Sequence, residues 1–331
     1  MEDKMCQNID EEYKLFKKKE ENKNHRFKKH ILKVIDKPVK WNNYELFYYF
    51  ENSELNIWEK IRKDVLEYFK NNIISWWKIS KNDLYNYEGL SDKELSCEFP
   101  TGNMLSSQVS CVNHLFFMRK NQNFVTTVLR NIDNRIIKAV LIDDGYIEFE
   151  KMGGIEQNPL GEVNLNRKRG ALSTSIDALM VGEKEDGKNI LILIEWKYTE
   201  KGDDSFHDSQ NHLIYKNLLR HKNCPINIPD DINALLREPY YQPMRQTLLG
   251  WKMVELNEYN CDEYINLHII PQGNTLFRKN LEVPIYWKKL LKDEKKYKVI
   301  SPEELLQPLY KTEEAKDLFV YLYKRYIEKY S

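Results

Sequence analysis

Large aromatic and aliphatic side chains recur at helical spacing over residues 44–77, in ELFYYF, IWEKIRKDVLEYF and IISWW. That rhythm predicts packed helices whose tryptophans fill a core. The stretch before it, residues 1–40, alternates acidic and basic side chains with few large apolar ones, the pattern of a mobile or helical surface segment. Pro100, Gly102 and Asn103 break the chain, and LSSQVSCVNHLFFMRK then sets Leu105, Val109, Val112 and Leu115 or Phe116 on one helical stripe. Ser106 or Ser107 is placed to cap it.

A strand rhythm follows. IIKAVLIDDGYIEFEKM holds two strand-like runs on either side of Asp144-Gly145, which predicts a β-hairpin. STSIDALMVGEKEDGKNILILIEWKYTE repeats the arrangement: one strand ends near Val181, Asp186-Gly187 turns the chain, and residues 190–198 return. ILILI is apolar at every position, so both faces of the return strand are predicted to be buried, as in a central strand covered by helices. Helical spacing resumes in FHDSQNHLIYKNLLRHK and YYQPMRQTLLGWKMVEL, followed by a strand in YINLHIIP and a last helical region after Pro302. Strands in the middle with helices before and after define an α/β sandwich, here a central mixed sheet flanked by helices with an N-terminal helical region. Residues 1–97 are expected to form that mostly helical region, and residues 98–331 the core with its C-terminal helices. No linker composition separates them, so a single domain fits as well.

Composition narrows the function. The chain of 331 residues can bury one large core or two modest ones. Its formal net charge is zero, which excludes the uniformly basic body of a non-specific nucleic-acid binder. Any such contact must come from a local patch, for which Arg167, Lys168 and Arg169 are candidates, although a solvated loop explains the triplet equally well. The five cysteines are scattered with no C-x-x-C pair, which argues against a zinc site and a disulfide framework. The opening residues show no apolar signal region, and no stretch approaches the roughly 20 apolar residues of a membrane span. A cytoplasmic, reducing setting without membrane contact is expected. No phosphate loop of the G-x-x-x-x-G-K-[ST] type is present, so any ATP-driven step would need a partner.

Candidate chemistry lies at the end of the apolar strand. Glu195 and Lys197 share one face by strand alternation, while Ile194, Trp196 and Tyr198 take the other. Charged groups buried in a sheet cost several kcal/mol unless they are paired or hold a metal. Antiparallel pairing through Asp186-Gly187 would bring Asp177, in TSIDALMV, alongside Glu195. Two carboxylates at that range repel, and a hard divalent cation reverses the sign. E-x-K also recurs at Glu12/Lys14, Glu21/Lys23, Glu294/Lys296 and Glu314/Lys316 in polar surroundings, so the apolar strand and its Asp-bearing neighbour set the pair at Glu195 and Lys197 apart. The plainer alternative is a Glu–Lys pair reaching solvent at a strand end.

RGALSTSIDALMV followed by ILILIEWKYTE resembles the D-(x)n-E-x-K signature of the P-D-(D/E)-x-K nuclease superfamily. GNMLSSQVSCVNHLF, YYQPMRQTLLG and VISPEELL are similar to recurrent segments of an uncharacterised prokaryotic group of restriction endonucleases; the likeness spans residues 98–308. Ile176 stands where proline stands in the superfamily's name. The resemblance implies a restriction-endonuclease-like fold and Mg²⁺-dependent endonucleolytic hydrolysis of DNA phosphodiesters in restriction or genome defence, with Mn²⁺ as an alternative ion. Asp177, Glu195 and the Trp196 carbonyl would ligate the metal, and Lys197 would orient the attacking water and stabilise developing charge. A non-cleaving DNA-binding or assembly subunit of the same fold, and an RNA-directed nuclease, remain the alternative readings. A homodimer or a partner subunit fits either.

Four polar groups are candidates for nucleic-acid contact on the strength of the resemblance: Gln108 and Asn113 on one helix, Arg245 and Gln246 on another. His207, His212, His221 and His268 show no metal-binding spacing and are expected at the surface or as caps.

Overall fold

The computed structural model describes residues 2–77, 86–90, 96–153, 158–163, 174–200, 211–275, 278 and 282–328. In chain order the elements are α1 (Glu2–Arg26), β1 (Val39–Trp41), β2 (Tyr44–Leu46), α2 (Glu59–Asn71), β3 (Tyr87–Glu88), α3 (Ser107–Leu115) and α4 (Gln122–Ile132). They continue with β4 (Ile136–Ala139), β5 (Glu148–Lys151), β6 (Ile176–Lys184), β7 (Asn189–Trp196), α5 (His212–Leu219) and α6 (Tyr241–Glu255). The last are β8 (Cys261–Ile269), α7 (Glu282–Leu290), β9 (Tyr297–Ile300), α8 (Pro302–Leu306) and α9 (Lys316–Leu322). The chain divides into two compact units, Met1–Phe117 with Leu309–Ser331, and Met118–Pro308.

Within the first unit, α2 buries Ile61, Val65, Tyr68 and Phe69 on one helical face, and Trp76 stacks on Phe69 with ring centroids 3.9 Å apart. ELFYYF is not a helix. Asn42 and Asn43 both adopt positive φ, as a tight hairpin turn requires, and they pair Tyr44 with Trp41 across β1 and β2. IISWW is not helical: Ile73 lies in a turn at positive φ, and Trp76 is buried while Trp77 is 62% exposed. Residues Leu309–Ser331, which include α9, belong to this unit. Fully buried Arg325 donates to the Asn56 carbonyl at 2.6 Å, to the Tyr321 hydroxyl at 2.6 Å and to Asn56 Oδ1, and its guanidinium lies over the Tyr326 ring.

The second unit is built on a six-stranded mixed sheet of order β4-β6-β7-β8-β9, with β5 also paired to β6. It has the α/β restriction-endonuclease-like architecture expected: β6 and β7 form an antiparallel hairpin through Asp186-Gly187, β8 runs parallel to β7, and β9 parallel to β8. Parallel neighbours need long crossovers, and α5 with α6 fills the first of them. Every residue of β7 is buried, in keeping with ILILI as a central strand.

The expected hairpin around Asp144-Gly145 forms differently. β4 pairs with the Gly182 end of β6 and β5 with its Ile176 end, so both strands lie along the same edge of β6 instead of on each other. A tight turn does close between them, where Ile142 and Gly145 exchange backbone hydrogen bonds and Asp143 and Asp144 take positive φ, and Arg119 donates to the carbonyls of both aspartates. Gly182 makes room for Ile136, whose side chain would lie 2.7 Å from any Cβ added there.

α6 covers one face of this sheet. Its Gly250 lets the helix settle onto the sheet: a Cβ there would lie 2.8 Å from the Tyr264 ring of β8 and 3.3 Å from Leu193 of β7. Leu179, Val181, Leu191 and Leu193 meet Met244, Leu248 and Leu249 in the core between sheet and helix.

Candidate active site

The antiparallel register pairs Ala178 with Ile194 and therefore sets Asp177 opposite Glu195 on the face that α6 covers. On the other side of β6, Phe149 pairs with Ala178 and Lys151 with Ile176, which sets Glu150 opposite Asp177. Glu195 faces His268 across β8. Glu150, Asp177, Glu195 and His268 thus form one row across four strands. Glu150 and Glu195 are almost fully buried and Asp177 partly so.

Each group has a defined set of partners. Asp177 Oδ2 accepts from the Trp196 backbone amide at 2.7 Å. Lys197 Nζ lies 2.7 Å from Glu195 Oε1 and donates to Gln242 Oε1 at 2.7 Å. Gln242 Nε2 donates to Glu195 Oε1 and Gln246 Nε2 to Glu195 Oε2. Gln242, Gln246 and Gly250 recur every fourth residue, so the contact that seats α6 on the sheet also aims the two amides at Glu195. Behind Gln246, its Oε1 lies 3.0 Å from His268 Nε2, and Tyr297 OH lies 3.1 Å from His268 Nδ1.

Electrostatics follow from this packing. Burial raises the Asp177 carboxyl well above the ordinary carboxylate range, and the neighbouring charges of Glu195 and Glu150 raise it further, against opposing effects of Lys197 and the Trp196 amide. Burial disfavours the Lys197 ammonium, but Glu195, Glu200 and Asp177 more than offset it, so Lys197 is held protonated above its usual range. Burial, with Lys197 nearby, lowers His268 to about 3, which leaves the imidazole neutral. Tyr297 is raised by burial and by Glu195, and keeps its proton.

Of the other residues expected to contact nucleic acid, Gln108, Asn113 and Arg245 are described. Gln108 and Asn113 belong to the first unit and are buried there. Gln108 accepts from the Trp77 amide at 2.8 Å and donates to Ser75 O at 3.2 Å, while Asn113 accepts from the Trp58 amide at 2.9 Å and donates to Asn56 O at 3.0 Å. Both bind their own unit's backbone, which is what buried amides do. Arg245 lies across the Tyr241 ring, donates to Thr174 Oγ1 at 2.8 Å and faces Glu162 Oε1 at 3.7 Å. Glu162 is buried and also accepts from Tyr215 OH at 2.5 Å and from the Thr174 amide at 3.0 Å. Arg167, Lys168, Arg169 and His207 lie outside the described residues. His268 is not a surface histidine, whereas His221 is exposed and accepts from the Asn223 amide at 3.2 Å.

Glu150, Gln242 and the pair His268 and Tyr297 did not stand out in the sequence as parts of a site. The four-residue spacing of Gln242 and Gln246 was a usable signal, since it places two amides on one helix face. Nothing local marks Glu150 except a positive φ that sequence does not reveal.

A buried Glu–Lys pair facing an aspartate on the neighbouring strand, at the carboxyl end of the central strand of a mixed sheet, gives the molecule the class of a restriction-endonuclease-like α/β protein. A model of the family described as Restriction Endonuclease associating with ARP matches residues 11–327, and the chain belongs to that family. No curated protein and no solved structure matches the chain. Among the described residues no helix is long and apolar enough to cross a membrane.

Proposed function

We propose that the chain is a metal-dependent endonuclease of the P-D-(D/E)-x-K type that hydrolyses DNA phosphodiester bonds in restriction or genome defence. The observation that carries this reading is Asp177 opposite Glu195 across one hairpin, with the Lys197 ammonium 2.7 Å from Glu195. The residues fit a hard divalent cation. Asp177 is destabilised as an anion by burial and by two neighbouring carboxylates, a conflict that an ion of opposite charge relieves. The two carboxylates, with the Trp196 carbonyl, would leave coordination positions for water and phosphate oxygen, as suits Mg²⁺ or Mn²⁺.

When bound, the metal supplies positive charge to the scissile phosphate. The chain's own residues do the rest. Lys197 is held protonated, so it serves as a cationic hydrogen-bond donor that orients the attacking water and stabilises the charge of the transition state, not as a base. Gln242 ties Lys197 to Glu195 and fixes both. Phosphoryl chemistry of this kind needs positioning and charge stabilisation and no covalent intermediate. The family's description names association with ARP, and on that ground we read the chain as working beside a partner.

Incubation of the purified chain with plasmid, linear DNA and RNA, in Mg²⁺ and in EDTA, tests the proposal. Mg²⁺-dependent cutting of DNA supports it. Cutting of RNA alone replaces the substrate, and DNA binding without cutting by the wild type replaces the activity.

A further inference from the structure

We infer that His268 and Tyr297 are positioning residues that orient the Glu195 carboxylate through a one-directional chain of hydrogen bonds, Tyr297 O–H to His268 Nδ1, His268 Nε2–H to Gln246 Oε1, and Gln246 Nε2–H to Glu195 Oε2.

The direction is set by Glu195. A carboxylate only accepts, so Gln246 must turn its NH₂ group toward Oε2, where the structure has it. The carbonyl end of the same amide then points at His268 Nε2, 3.0 Å away, and a carbonyl only accepts, so Nε2 must carry the proton. Neither ring nitrogen faces a carboxylate, and the ring is buried beside a lysine, so the imidazole has one proton to give and Nδ1 is the acceptor for the Tyr297 hydroxyl at 3.1 Å. Each assignment forces the next.

The geometry serves position. His268 is the cross-strand neighbour of Glu195 and Tyr297 is two residues earlier in register on the next strand, paired with Asn266. The chain therefore ties the site to β8 and β9, independently of the hairpin that carries Asp177, and Gln246 cannot rotate without breaking two bonds. Groups standing behind a metal ligand commonly change metal affinity or activity by about 10–100-fold when removed.

The metal part of the inference rests on the nuclease reading and the tautomer part does not, so the experiment measures both. Mn²⁺ alone is titrated into the wild type, His268→Leu, His268→Gln and Tyr297→Phe, with folding followed by thermal melts, and the His268 ring is observed by ¹⁵N NMR. His268→Leu is expected to weaken Mn²⁺ binding by about 10–100-fold. His268→Gln, whose Nε2–H can reproduce the lost donor, should recover most of that loss, whereas a merely space-filling role would leave Gln no better than Leu. Tyr297→Phe, which deletes one hydroxyl and keeps the ring, should show a smaller loss in the same direction and keeps the test available if His268→Leu does not fold. The wild-type ring should be protonated at Nε2 alone, and Glu195→Gln should relax that preference because Gln246 is then free to turn. A folded His268→Leu protein that binds Mn²⁺ like the wild type, or a ring protonated at Nδ1, overturns the inference. If the wild type neither binds Mn²⁺ nor cuts nucleic acid, the nuclease reading fails, and the ring tautomer with its response to Glu195→Gln still decides for or against the hydrogen-bond chain.

Discussion

Asp177 reaches across the hairpin to accept a hydrogen bond of 2.7 Å from the backbone amide of Trp196, the residue between Glu195 and Lys197. That bond fixes one carboxylate oxygen; in the proposed site the other would be the atom that meets a cation. It also makes the two strands a single device: the aspartate cannot shift without disturbing the strand that presents Glu195 and Lys197.

Asp177→Ala, Glu195→Ala and Lys197→Met are each expected to lower cleavage by at least about 10²-fold while the fold persists, because such groups act on developing charge. Single-turnover rates on plasmid DNA together with far-ultraviolet circular dichroism measure both halves. Glu294→Ala is the matched control: its E-x-K lies in an exposed turn and its loss should change nothing.

Asp177→Asn should make the metal-free protein more stable at neutral pH while removing activity. A carboxyl whose folded pKa is raised binds a proton that the unfolded chain has already released. Its contribution to stability is therefore present at low pH, declines as pH rises above the unfolded carboxyl value, and becomes a penalty above the raised folded value. Asparagine cannot ionise and still accepts from the Trp196 amide. Thermal melts in EDTA across pH 5–8 should show the wild type losing stability with rising pH relative to the variant; parallel curves would contradict the strain assigned to Asp177.

The hairpin that pairs Asp177 with Glu195 was legible in the sequence because every signal for it is local: alternation of period two, an Asp-Gly turn, and an apolar run ending in Glu195. What lay beyond it depends on distant pairings. Glu150 reaches Asp177 only because β5 returns to the edge of β6, and His268 stands beside Glu195 because a long crossover sets the parallel register of β8. Gln246 was visible as a polar helix residue, but whether it faced a phosphate or a carboxylate depended on where Gly250 seats the helix. ELFYYF fits both a helical and a strand period, and Asn42-Asn43 was the turn signal that decides between them.

Gly250→Ala should be destabilising despite the higher helix propensity of alanine, since the added Cβ meets a buried tyrosine ring at 2.8 Å. Overpacking of this kind costs about 1–3 kcal/mol. Denaturant unfolding gives the loss, and a fall in cleavage beyond that explained by unfolding would show that displaced α6 no longer presents Gln242 and Gln246 correctly.

Removal of Arg135 should cost stability at neutral pH and flatten its dependence on acid. Arg135 lies 2.6 Å from Asp133 and 2.8 Å from Glu263, and Lys184 lies 2.7 Å from Glu263. The hydrogen bond from Arg135 lowers Asp133; burial raises Glu263, but Arg135 and Lys184 outweigh it and the net shift is downward. Carboxyls depressed in the folded state contribute stability above their unfolded pKa and lose it as pH falls through the folded value. Arg135→Ala should therefore destabilise the protein most at neutral pH, with a difference from the wild type that shrinks as pH falls through the folded values of Asp133 and Glu263, as read by denaturant unfolding followed by tryptophan fluorescence.

Plasmid cleavage by the wild type and Glu195→Gln, each in Mg²⁺ and in EDTA, tests the catalytic assignment most directly. Glutamine preserves the size of residue 195 and removes its charge. The wild type should nick or linearise DNA in Mg²⁺ and be silent in EDTA, with Glu195→Gln folded and inactive in both. Cleavage by Glu195→Gln at the wild-type rate, or wild-type cleavage that persists undiminished in EDTA, would contradict the assignment of Asp177, Glu195 and Lys197 as a metal-dependent nuclease centre.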